Sequence, residues 1–150
     1  MNRTISNVGI AIVILAVISA IVGIVFLQQG FSKQSYLLNA MKQEQITLTI
    51  NDQQTVIDNA KTAQEAGDTV REHRHSIAPT YGDLLEGKQF DPTNPMQLTY
   101  AQALNLENYL YLAVATFGLV SVVLGAGAFM IVSGIAFGLT GFALIKIGKS

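Results

Sequence analysis

Hydrophobic positions in this sequence gather into two long blocks that flank a polar middle. From Val8 to Leu27, twenty consecutive residues include one polar side chain, Ser19. A helix of that length rises about 30 Å, the thickness of a bilayer's hydrocarbon core. A cleaved secretory signal has an apolar stretch of ~7–15 residues followed by a small-x-small site. This block is longer and no such site follows it, so it predicts a retained transmembrane helix.

The second block runs from Leu110 to Ile145, thirty-six residues without a charge. As one helix it would measure about 54 Å, well beyond the hydrocarbon thickness even with tilt. Gly125-Ala126-Gly127 offers a break, because glycine takes backbone angles closed to other residues. The pattern therefore predicts a glycine-rich hairpin of two spans, 110–126 and 127–146, with one longer helix as the alternative. The expected fold is an all-α integral membrane protein with three spans, or two on the alternative. A short tail at 1–7 precedes the span at 8–27, a mostly helical extramembrane segment covers 28–109, and a tail at 147–150 closes the chain.

Small residues recur along one face of each apolar stretch. They are Gly9, Ala16, Ala20, Gly23 and Gly30 in the first, Gly118, Ser121 and Gly125 in the second, and Gly127, Gly134, Gly138 and Gly141 in the third. Within lipid, such faces let helix backbones approach closely and gain van der Waals contact. They are expected to be packing surfaces, against this chain's own helices or those of other subunits.

In the polar middle, Phe31, Leu38 and Met41 keep helical spacing, so the first span is expected to continue beyond the membrane. Ile46 to Ile50 alternates like a strand, but no second segment shows a matching alternation, and helix or linker is expected instead. Asn51 and Asp52 suit a helix N-cap, with a thin stripe of Val56, Ala60, Ala63, Gly67 and Val70 running towards Ala78. Pro79 stops that helix. A turn-rich stretch then holds one short helical turn at Leu84-Leu85. Asn94-Pro95 reads as N-cap and first residue of the last helix, with Gln97 placed to complete a capping box. Tyr100, Tyr109 and Tyr111 are expected to mark the membrane surface, and Lys146 and Lys149 to anchor the last span at the headgroup level.

Composition sharpens this reading. Charged residues make up 13% and the mean hydropathy is +0.40, whereas a soluble domain carries about 25% charge. The deficit is local, since all ten acidic residues lie between Glu44 and Glu107. Net charge is −1 without a basic run, so no nucleic-acid partner is expected. Cysteine is absent, which excludes disulfides, thiol catalysis and iron–sulfur ligation.

One cluster has the residue types for chemistry: Asp68, Glu72, His73 and His75, with Arg71 and Arg74 interleaved. Asp68 and Glu72 share a helix face at the i, i+4 spacing of metal ligands, but His73 and His75 diverge. The alternating signs fit an ordinary solvated face better than a metal site. Neither apolar block holds an ionisable group of the kind that pumps and proton relays need. The expected function is a non-catalytic membrane subunit or scaffold that needs no cofactor and associates with other membrane proteins or with itself. A metal or redox module around Asp68, Glu72, His73 and His75, and a small pore-forming oligomer, are the alternatives.

Sidedness follows from the span count, because Lys and Arg near span ends favour the cytoplasm. Three spans place Lys33, Lys42, Lys146 and Lys149 together and the 28–109 segment in the cytoplasm. Two spans group Arg3 with Lys146 and Lys149 and put that segment outside.

Overall fold

The computed structural model describes residues 3–50 and 52–149. In chain order it contains helix α1 (Arg3–Glu44), strands β1 (Thr47–Ile50) and β2 (Gln53–Val56), and helices α2 (Ala60–Ile77), α3 (Tyr81–Leu85) and α4 (Pro95–Lys149). The residues form two compact units, Met1–Gln34 with Leu119–Ser150, and Ser35–Gly118. Helices α1 and α4 are each long and apolar enough to cross a membrane.

The first unit is an antiparallel pair made from the start of α1 and the end of α4. Its buried α1 residues fall at intervals of seven: Gly9, Ala16, Gly23 and Gly30. Opposite them, α4 offers Gly141, Gly134, Gly127 and, beside Gly30, Leu124. A Cβ added at Gly9 would lie 2.7 Å from the Gly141 carbonyl oxygen, and one at Gly23 2.7 Å from that of Gly127. One at Gly134 would lie 2.8 Å from the Ala16 carbonyl oxygen. Such distances are too short for carbon, so the two backbones touch only because those side chains are missing. Residues 8–27 consequently lie beside roughly 123–142, a pairing read from these glycine contacts. A hydrogen bond crosses the seam, from the Ser19 hydroxyl to the Met130 carbonyl at 2.9 Å. The outward faces are apolar and open: Leu15, Phe129 and Phe142 are 63%, 72% and 67% exposed.

The expected hairpin at Gly125 to Gly127 is absent, and α4 runs through it unbroken. Gly127 is used as a contact on Gly23 and Leu27, not as a turn. The surplus apolar length has another destination. Leu110 and Phe117 are buried, and Leu110, Ala113 and Val114 belong to the core of the second unit. The thirty-six-residue block is thus part seam and part interior of the second unit. Not every small residue packs as expected, either. An added Cβ would meet nothing within 4 Å at Gly118 or Gly125, and Ser121 is exposed. A Cβ added at Gly138 would make only ordinary contact with the Ala16 methyl, at 3.7 Å, while Ala20 does line the seam beside Gly134.

The second unit contains a β-hairpin that was not expected. Ile50 pairs with Gln53 and Thr47 with Val56, and the ladder is extended by Ile57 N–H donating to the Ile46 carbonyl at 2.9 Å. Asp52 takes a left-handed backbone (φ 61°), a conformation aspartate tolerates in tight turns. Ile50, Ile57 and the half-buried Leu48 pack on Ala63, Ala66 and Val70 of α2, Leu110 of α4 and Met41 of α1. Val56, expected on the helical stripe, lies instead on β2 and is half exposed.

Of the two expected N-cap residues Asn51 lies outside the described residues and Asp52 precedes β2, and α2 starts later because Asn59 caps it. The Asn59 side-chain oxygen accepts from Lys61 and Thr62 N–H at 2.9 and 3.0 Å, while the Thr62 hydroxyl oxygen accepts from Asn59 N–H. It ends at Ile77, ahead of Pro79, as expected. The short helix expected at Leu84-Leu85 is α3, and Asn94 caps α4 through Met96 and Gln97 N–H. Gln97 does not close the expected capping box, since its side-chain oxygen accepts from Asp91 N–H at 2.7 Å.

Substitutions at glycine separate the seam from the open positions. Gly23→Ala should destabilise the protein by about 1–3 kcal/mol, the usual cost of forced overpacking. Gly125→Ala should stay within about 0.5 kcal/mol of wild type, as at an unconstrained surface position. Thermal unfolding of both variants in one detergent measures this, and equal effects would refute the seam.

Candidate functional site

The apolar stripe of α2 is made of Ala63, Ala66, Gly67 and Val70. Small side chains let α2 come close to α4, and a Cβ at Gly67 would lie 3.1 Å from the Tyr111 ring. The next position on that stripe, four residues after Val70, is Arg74. Helical spacing therefore drives a guanidinium into the interior, and a partner has to be there to meet it.

That partner is Glu107 on α4. Arg74 Nε donates to Glu107 Oε2 at 2.7 Å and Nη2 to Oε1 at 3.3 Å, a two-pronged pairing of planar groups. The two side chains are 10% and 9% exposed. Arg74 Nη1 also donates to the Tyr100 hydroxyl, and the guanidinium lies 5.0 Å from the centre of the Tyr100 ring. Tyr100 is fully buried, with the Tyr81 ring 6.1 Å away. The hydrogen bond to Glu107, the first cause, raises the Arg74 pKa above its ordinary value against the opposing effect of burial. Arginine therefore stays cationic throughout the accessible pH range.

A second polar contact joins the same helices. The Tyr111 hydroxyl donates to Asp68 Oδ1 at 2.6 Å, and Gln64 Nε2 and Arg71 Nη2 donate to the same carboxylate. The Tyr111 hydrogen bond, foremost, and that of Gln64 hold the Asp68 carboxyl below its usual range. Burial first, and then the Asp68 carboxylate, push the Tyr111 phenol up to about 12. Among the described residues no buried side-chain nitrogen or oxygen lacks a hydrogen-bond partner.

The candidate cluster of the sequence is therefore dispersed. Asp68 faces α4, Glu72 and His73 are exposed, and His75 Nε2 sits 3.1 Å from Arg74 Nη2. Among the described residues no three His, Asp or Glu side chains converge in a metal-binding arrangement. His73 borders a shallow hollow with Val70, Thr99, Gln102, Ala103 and Leu106. Tyr100 is not a surface marker but the buried partner of Arg74, and Tyr111 is engaged by Asp68. Only Tyr109 of the three is open, at 68% exposure. Lys146 and Lys149 are exposed in the last turn of α4.

Glu107 was missed from the sequence, although a signal was present. It stands among Leu104, Leu106 and Leu110 with no other charge between Pro95 and Ile145, and a lone charge amid apolar neighbours calls for a buried counter-ion. Chemically, the arrangement is a brace: its charges and hydroxyls are spent on one another. Comparison with family models, with curated proteins and with solved structures finds no match to this chain.

Two outcomes follow. Arg74→Met strands a buried carboxylate and should cost about 3–5 kcal/mol, whereas adding Glu107→Leu should restore most of it. Denaturant unfolding of the two variants checks this, and an equally unstable double variant would count against the brace. The raised Tyr111 pKa gives stability that is complete below the unfolded value near 10 and is lost as pH rises through about 12. Asp68→Asn should move the Tyr111 titration part of the way back towards 10, read as the phenolate absorbance missing from a Tyr111→Phe control.

Proposed function

We propose that this chain is a non-catalytic membrane subunit: a two-helix anchor carrying a small braced unit, Ser35–Gly118, for association with other membrane proteins or a second copy. The observation that carries this reading is the glycine seam between helices whose outward faces are broad and apolar. Seams of this kind serve helices in lipid, where close backbone packing replaces the hydrophobic drive that water supplies. Exposed Leu15, Phe129, Leu139 and Phe142 are at home only in an apolar medium.

Supporting the non-catalytic part, the ionisable groups of the second unit's interior are committed to the brace. The seam glycines are consumed within the chain, so another helix has to be met elsewhere. Gly118 and Gly125, open on α4, are positions where one can approach closely. With two spans, at 8–27 and about 123–142, Arg3, Lys146 and Lys149 share one side, opposite Lys33 and Lys42. The majority of cationic residues places that first group in the cytoplasm and the Ser35–Gly118 segment on the far side.

A cysteine substituted at Ala126 tests the spans, and it should resist a membrane-impermeant thiol reagent from both sides. Labelling from either side would instead favour a hairpin. Protease added to intact cells or spheroplasts should cut near Lys61 or Arg71 without lysis, and protection would reverse the sidedness. Native mass analysis after mild extraction tests the association: a stoichiometric partner or dimer is expected, and a lone monomer would overturn the subunit reading.

A further inference from the structure

Besides the shallow hollow at His73, the second unit has a more apolar hollow that the brace does not use. It has a volume of about 230 Å³ and is lined by the end of α1, the base of the β-hairpin and one face of α4. Met41, Ile46, Ile57, Leu106 and Leu110 supply apolar walls. The one charged side chain among its lining residues is Glu44, and the one aromatic is Tyr109.

Glu44 occupies an unfavourable position. It is the last residue of α1, where the unpaired carbonyls of the final turn already carry partial negative charge. Lys42, in that same turn, is exposed, and among the described residues Glu44 has no ion pair. A carboxylate at a helix's negative pole gains from a cation, and exposed Tyr109 adds an aromatic face of the kind that attracts organic cations. The volume is below the roughly 300–1,000 Å³ of drug-sized sites, enough for one ring or a short alkyl chain.

We propose that this hollow binds a small hydrophobic ammonium ion, its apolar body among Met41, Ile57 and Leu110 and its charge held by Glu44 and Tyr109. The inference does not depend on the subunit reading, since the hollow lies wholly within the Ser35–Gly118 unit. It adds a ligand input to a unit otherwise occupied with its own support. Charge selects the cation over a neutral molecule of the same shape, and the walls select it over a hydrated metal ion.

Phenethylammonium and its neutral counterpart 2-phenylethanol are suitable probes, titrated by ligand-observed NMR against the full chain in zwitterionic nanodiscs, with empty nanodiscs as blank. The ammonium should bind saturably and at least fivefold tighter than the alcohol. Glu44→Gln, a change at an exposed position, should bring the ammonium to the alcohol's affinity and leave the alcohol unchanged. Ala113→Leu, which fills the hollow, should remove saturable binding of both. Equal affinity of the two probes in wild type, binding no greater than to empty nanodiscs, or an unaffected Glu44→Gln variant would each overturn the proposal. If Ala113→Leu fails to fold, the Glu44→Gln comparison alone decides.

Discussion

Two backbones pressed together without a Cβ between them set the terms for the first unit. Carbonyl oxygens of Gly9, Ala16 and Gly23 lie where side chains of Gly141, Gly134 and Gly127 would otherwise stand. Those positions recur every seven residues on both helices, a period of 3.5 per turn against the straight helix's 3.6. A seven-residue repeat keeps the seam on one side provided the helices wrap gently in a left-handed sense. Each contact therefore depends on the next being in register. A turn at Gly127 would remove the Gly23 rung from that series, and the Gly125–Gly127 stretch stays helical.

Close approach does a different job in the second unit. Ala63, Ala66 and Gly67 bury little apolar area, so their stripe brings α2 near α4 without holding it firmly. Polar pairs supply the remainder: Arg74 with Glu107 and Tyr100, and Asp68 with Tyr111. A buried ion pair adds little net stability relative to an apolar pair of equal volume, but it tolerates no alternative register. Sliding α2 by one turn would leave both Arg74 and Glu107 buried and alone. The small stripe sets how near the helices come, and the charges set where.

Periodicity made the long helices, the stop at Pro79 and the Asn94 cap legible, because each rests on local backbone physics. The hairpin was not legible, since Gln53 to Val56 shows no alternation and gains its place from pairing with Thr47 to Ile50. The length of the Leu110–Ile145 block misled for a related reason. Hydrophobicity reports that a side chain avoids water, but not whether lipid or protein shelters it. Leu110 and Phe117 are sheltered by protein, Phe129 and Phe142 by nothing in this chain. At the site, Asp68 and Arg74 were visible as charges, but their partners Tyr111 and Glu107 lie more than thirty residues away. No helical spacing reaches that far. Tyr100 and Tyr111 resembled surface markers by position alone, and burial beside a charge overrode that expectation.

In the proposed subunit, an α4 that is continuous through Gly125 also changes what the chain can offer a partner. Had both halves of the apolar block been spans, the glycines on each would have been free to meet foreign helices. With one continuous helix, Gly127, Gly134 and Gly141 are spent on α1, and Asp68 and Arg74 of the charged cluster on α2 are spent on α4. What stays uncommitted is narrower: the open α4 positions at Gly118 and Gly125, and the hollow ending at Glu44. These differ in chemistry, one suited to a close-packed backbone and the other to an apolar cation. In that proposed role, recognition would fall to these few places, because the buried polar side chains described are already bonded to one another.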